Sequence, residues 1–130
     1  NVYGKNHIKE GKMATIIGIF ENQFLKKIPL TVVRPGTQTR RFTHINDTID
    51  VCIKAWKKNK CRHYAIASNK NHSILDIAKM FDRPIKYLPE RPGERFASAL
   101  TKMNLSNKVT NIIGKRSIKN YIYDFKKKYK

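Results

Sequence analysis

Apolar positions along this chain recur with two periods, and the switches between them mark out its elements. Met13, Ile17, Phe20 and Phe24 repeat at helical spacing, which predicts an amphipathic helix over Met13–Phe24. Leu30-Thr31-Val32-Val33 is short and β-branched and ends on Arg34-Pro35-Gly36, a strand running into a turn. Arg41-Phe42-Thr43-His44 predicts a second strand. Asn46 or Asp47 should cap the helix that follows to Lys58, with Ile45, Ile49, Cys52, Ile53 and Trp56 on one face.

Tyr64-Ala65-Ile66-Ala67 reads as a third strand. Ser73 should cap the next helix, whose apolar face is Ile74, Ile77, Ala78 and Phe81 and whose first turn holds Asp76; Asp82-Arg83-Pro84 stops it. Ile85–Leu88 predicts a fourth strand, leading into a loop over Pro89–Gly93. A short helix near Ala97–Met103 follows, and Ser117 caps a last helix with Ile118, Tyr121, Ile122 and Phe125 inward. Asn1–Gly11 is polar and turn-rich and reads as irregular. The sum is a small mixed α/β domain of short strands and about five helices, one unit over 1–130 with no internal repeat.

Composition changes this picture little, and charge changes it more. An apolar fraction of 40% and an aromatic fraction of 10% suit a folded domain of 130 residues. Apolar runs fall short of the roughly 20 residues that cross a bilayer, so no membrane partner is expected. A net charge of +19 invites a nucleic-acid reading, but the Lys residues are spread out. Only Lys57–Lys60 and Lys126–Lys128 form runs, each at a helix C-terminus where cations complement the dipole. Non-specific contact with nucleic acid is the expectation. Cys52 and Cys61 lack paired or metal spacing, which suits a reducing cytoplasm with Cys52 buried as a free thiol. His7, His44, His63 and His72 are scattered, so a metal site is not expected, and His44 reads as a packed residue beside a helix cap.

Two short motifs carry the candidate chemistry. Gly36-Thr37-Gln38-Thr39-Arg40-Arg41-Phe42-Thr43-His44 and Arg91-Pro92-Gly93-Glu94 each set a guanidinium beside a tight Gly turn. That is the fork of N–H donors with which proteins grip phosphate oxygens. What the sequence lacks is equally informative. It contains no Gly-x-x-Gly-x-x-Gly or Gly-x-Gly-x-x-Gly to turn around a dinucleotide pyrophosphate. Tyr123 and Lys127 form a Tyr-x-x-x-Lys, but in a Lys-rich helix remote from any cofactor motif, and coincidence accounts for it.

With Asn1-Val2-Tyr3-Gly4, Pro29–Val32, Tyr64–Ile77 and Ser117-Ile118, these motifs form an ordered series. The series resembles the C-terminal half of the extended short-chain dehydrogenases/reductases, the nucleotide-sugar epimerases and dehydratases. The resemblance implies a substrate-binding domain that lacks its Rossmann half, and the start at Asn1 without a Met is what a piece of a larger protein would show. It implies that NAD or NADP and the catalytic groups belong to the missing N-terminal half. This fragment then carries no catalytic or cofactor-binding residue, is inactive alone, and comes from a homodimeric enzyme. The ligand implied is a nucleoside-diphosphate sugar. Arg40 and Arg91 match diphosphate contacts, and Asn1 an amide contact near the diphosphate. Glu94 matches a ribose ligand, whose structural alternative is a salt bridge to Arg91 or Arg95. Val33 matches a base-pocket position or is a plain strand core residue. Arg41 departs from the family pattern, which often has Asp there. Two readings stand beside this one: a basic nucleic-acid-binding module, and a docking unit whose apolar surface mediates association.

Overall fold

Thr15 decides where the first helix begins. Its extended backbone and its Oγ1, which accepts from the Gly18 amide at 3.1 Å, start α1 at Ile16 and run it to Leu25. Met13 therefore lies outside the helix and is exposed, while Ile17, Phe20 and Phe24 hold the buried face as the spacing predicts. Gly18 is needed because the Ile8 carbonyl oxygen sits 2.4 Å from where its Cβ would stand.

A computed structural model describes residues 1–58, 63–93 and 109–129. After α1 come β2 (Leu30–Val33), β3 (Thr39–Arg40), β4 (Thr43–His44), α2 (Ile45–Lys58), β5 (His63–Ser68), β6 (His72–Ser73), α3 (Ile74–Met80), β7 (Ile85–Leu88), β8 (Val109–Gly114) and α4 (Ile118–Lys128). β1 (Val2–Tyr3) precedes α1. The strand expected over Arg41–His44 is shortened to Thr43–His44, and β1, β3, β6 and β8 are additions to the predicted set. The helix expected over Ala97–Met103 lies outside the described residues, as do Cys61 and Glu94.

The strands join as four pairs. β1–β4, β2–β7 and β5–β8 are parallel, and β3–β6 is antiparallel. In the β2–β7 ladder Leu30 pairs with Ile85 and Val33 with Leu88, so both strands end at the same level. Between them and the helices sits the core: Phe20 and Phe24 of α1, Leu30 and Val32 of β2, Ile77 and Ala78 of α3, and Ile118 and Ile122 of α4. Phe81 closes α3 and meets Phe20 and Phe125 edge-on at 5.9 and 6.2 Å, which ties three helices together. Ser73 and Asp76 form the capping box their spacing suggests, each side chain accepting from the other's backbone amide.

α2 differs from expectation twice. It starts at Ile45, ahead of the expected caps, because His44 Nδ1 accepts from the Asn46 amide and takes the capping role. Asp47 instead sits in the first turn, buried, and accepts from the Arg116 backbone amide at 3.0 Å and its guanidinium at 2.5 Å. That clasp rotates the helix: Asp47 and Val51 face inward, and the stripe Ile45, Ile49, Ile53 and Trp56 faces out. Trp56 is 88% exposed, and Cys52 is exposed rather than buried.

Glu21 is 2% exposed and charged nonetheless. Burial opposes its ionisation, but hydrogen bonds from His7 and Tyr121, with Lys9 at 3.2 Å, outweigh that and hold its pKa below the ordinary 4.5. The same burial and the Glu21 carboxylate push the Tyr121 hydroxyl well above its usual range. Glu21 of α1 thereby ties the loop around His7 and Lys9 to Tyr121 of α4.

Two outcomes follow from this packing. Because the folded carboxyl ionises at lower pH than the unfolded one, Glu21 stabilises above pH 4.5 and loses that contribution as pH falls through its folded pKa. Glu21→Gln should cost about 1–3 kcal/mol at neutral pH, and the gap in Tm from wild type should narrow as the solution is acidified. Ile122→Ala should cost about 2–5 kcal/mol in urea unfolding, whereas Ile53→Gln on the open face of α2 should stay within about 0.5 kcal/mol.

Candidate functional site

Two turns leave the carboxyl ends of β2 and β7 side by side because the parallel register aligns Val33 with Leu88. The first is Arg34-Pro35-Gly36. Gly36 has φ +80°, and a Cβ there would fall 2.8 Å from Val32 Cγ1, so the turn requires glycine on both counts. Its carbonyl accepts from Leu75 at 3.0 Å, and the Gln38 carbonyl accepts from Ile74 at 3.1 Å, which anchors the chain to the start of α3. The second turn is Pro89–Gly93, with Gly93 at φ +75°.

Beside the ends of these strands, at Val33 and Leu88, opens a cavity of about 350 Å³. Asn1, Val33, Arg40 and Arg91 all line it, so four of the five residues singled out in the sequence meet at one place; Glu94 lies outside the described residues. Ile16, Ile17 and Ile19 of α1, with Leu88 and Phe42, make an apolar wall. The arginines bring positive charge to the mouth. Arg40 is half-buried and donates through Nη1 to the Thr39 carbonyl at 2.8 Å, which orients its guanidinium; Arg91 is exposed on its turn. Asn1 hands its backbone carbonyl to the Thr43 amide at 2.9 Å and so is held against β4. An apolar wall with a cationic rim suits a ligand with an aromatic end and a doubly anionic middle.

Sequence reasoning missed Gln38 and Thr31, which line the same space. The signal for Gln38 was available: it stands two residues before Arg40 on an extended segment, and alternate residues share a face. His44 is the packed residue expected, edge-on to Tyr3 at 5.1 Å and Tyr121 at 6.0 Å. Burial, and then Arg116, lower its pKa. Arg41, which departs from the family pattern, donates to the carbonyls of Ser68 and Asn69 at 2.9 and 3.0 Å and pins the end of β5. Tyr123 is exposed on α4, away from the cavity.

The described residues do not fit a dinucleotide. β4 and β6 run straight into α2 and α3 with no glycine between. Gly114 at the end of β8 has Asp47 Oδ2 2.9 Å from its would-be Cβ, so a carboxylate and not open space stands beside it. Among the described residues no three His, Cys, Asp or Glu gather to hold a metal, and no helix is long and apolar enough to cross a membrane.

Known proteins share this fold. UDP-glucuronic acid decarboxylase 3 of Arabidopsis thaliana is 30% identical over 80 residues, 61% of this chain and 22% of that protein. UDP-glucuronic acid 4-epimerase of Bacillus cereus, solved with UDP-glucuronic acid and NAD, superposes with a TM-score of 0.73 at 27% identity, covering 98% of this chain and 43% of that one. The dTDP-glucose 4,6-dehydratase of Bacillus anthracis shares the fold, with a TM-score of 0.76 at 16% identity over 99% of this chain and 42% of its own. The chain thus spans well under half the length of each. The model of the NAD dependent epimerase/dehydratase family matches residues 1–67, from β1 through most of β5, and this chain belongs to that family.

Proposed function

We propose that residues 1–130 are the substrate-binding portion of an NAD(P)-dependent nucleotide-sugar epimerase or dehydratase, and that its ligand is a nucleoside-diphosphate sugar. The observation that carries this reading is the meeting of Arg40 and Arg91 at one cavity, beyond the carboxyl ends of two parallel strands. Two guanidinium forks, one on β3 and one on the Pro89–Gly93 turn, match a diphosphate, which offers acceptor oxygens to both. Val33 and the isoleucines of α1 offer an apolar surface to the base, and Asn1 an amide to the part between. The diphosphate is the same in ground state and transition state, so holding it positions the sugar without itself lowering the chemical barrier.

In this reading an N-terminal Rossmann half holds NAD or NADP, supplies the proton- and hydride-transferring groups, and completes a cytoplasmic homodimer. Support comes from the stripe of α2, where Ile45, Ile49, Ile53 and Trp56 form a largely exposed apolar face, and from Ile113 of β8, which shares a cleft with Ile53 and is itself 63% exposed. A soluble domain covers such a face with further structure. A basic nucleic-acid module is favoured only by the net charge of +19. Several of those cations are already engaged: Lys126 with Asp82 and the Met80 carbonyl, Lys9 with Glu21, and Arg116 with Asp47 and Asp50.

UDP titrated into the chain by ligand-observed NMR should give a weak, phosphate-dependent signal. Arg40→Ala combined with Arg91→Ala should weaken it at least tenfold, about 1.4 kcal/mol. Binding that is unchanged in the double variant removes the diphosphate assignment. A duplex DNA affinity that falls steeply with salt and is indifferent to both arginines would favour the nucleic-acid reading instead.

A further inference from the structure

Arg40 has a neighbour on β6 that is distant in the chain. The antiparallel register of β3 and β6 sets Arg40 opposite His72 and Thr39 opposite Ser73. Directly opposed residues of such a pair send their side chains to one face, with Cβ atoms about 5 Å apart. The other members of the two strands say which face is which. Ser73 turns its hydroxyl to the Asp76 amide, so Thr39 and Ser73 belong to the side of the helix cap. Gln38 and Arg40 alternate along their segment and both line the cavity. Ile74, two positions past His72 with Ser73 extended between them, lines it as well. His72 therefore stands on the cavity side, beside Arg40. The Arg40 guanidinium stays close to this strand pair, because Nη1 donates back to the Thr39 carbonyl at 2.8 Å.

We infer that His72 is a third, titratable donor for the diphosphate, taking up a proton when a nucleoside-diphosphate sugar binds and pairing with a phosphate oxygen beside Arg40. This rests on the nucleotide reading above and adds to it a dependence of the same grip on pH. Arg40 and Arg91 stay charged throughout the range in which an imidazole titrates, so the two arginines alone would hold the ligand equally across it. His72 is half-buried, and burial lowers its pKa from 6.5; Asp76 of α3 opposes that shift and Lys70 adds to it. The ring is therefore mainly neutral at pH 7. A dianion beside it acts against burial and favours the imidazolium. The charged groups around the ring are Arg40 across the strand pair, Lys70 ahead of β6 and Asp76. Asp76 is held below the ordinary 3.8 by its hydrogen bond with Ser73, so the imidazole is the group among these that changes charge near neutrality.

The test uses a ligand whose own charge is constant. Neither phosphate of UDP-glucose titrates near neutrality, so a change of affinity with pH belongs to the protein. UDP-glucose is titrated into wild type and into His72→Gln at fixed ionic strength, from about pH 8 down to about pH 5.5. Wild-type affinity should rise about threefold or more over that interval, and the profile of His72→Gln should be flat. Ring-proton NMR of wild type should show the His72 titration moving to higher pH when UDP-glucose saturates the site. A flat wild-type profile, a slope retained in His72→Gln, or an unmoved ring titration overturns the inference and leaves the arginine grip intact. Should UDP-glucose fail to bind wild type at every pH, the nucleotide reading falls and this inference with it. If His72→Gln does not fold, the ring titration in wild type decides alone.

Discussion

β2 and β7 lie parallel and in a register that ends both at one level, and this brings Val33 and the Arg91 turn to the same cavity. Parallel strands cannot be joined by a hairpin, so the chain between Val33 and Ile85 must leave, build α2 and α3, and return. That detour is what separates the two arginine motifs in sequence and reunites them in space. A slip of one residue would turn every side chain of β2 to the opposite face, exchanging Val32 in the core for Val33 at the cavity. Val32 is fully buried and Val33 half-buried, and the fit of each to its side fixes the register.

How much of this was written in the sequence depends on whether the deciding interaction was local. α3 was legible almost residue by residue, because Ser73 and Asp76 form their capping box within one turn and Phe81 closes the same face. Ile85–Leu88 and Leu30–Val33 were likewise visible as short β-branched or apolar runs. α2 was misread for the opposite reason. Its strongest apolar stripe runs through Ile49, Ile53 and Trp56, but Asp47 is held by Arg116, sixty-nine positions away, and that contact sets which face turns inward. The two-residue bridges β1, β3 and β6 are set wholly by their distant partners. Arg40, Arg91, Asn1 and Val33, singled out through motif resemblance, all line the one cavity. The face Gln38 shares with Arg40 is legible from their alternation, but its burial is not, because nothing local distinguishes a buried glutamine from an exposed one.

The positive charge is partly architectural. Arg41 holds the end of β5, Arg116 clasps α2 to the segment before α4, and Lys126 bridges the end of α3 to α4. Arg41 is instructive, since it follows Arg40 directly yet points its donors at backbone carbonyls on another strand. Neighbouring side chains on an extended segment face opposite sides, so Arg41 serves the scaffold while Arg40 lines the cavity.

The open stripe on α2 has a colloidal consequence. Two copies meeting through Trp56 and Ile53 would bury oily surface, yet each molecule carries +19 charges that resist the approach. Such repulsion reaches only about 10 Å in 0.1 M salt and about 3 Å in 1 M. Ionic strength is therefore the dial that sets whether this helix is tolerated in water or becomes adhesive, and concentrated brine removes the protection that its lysines provide.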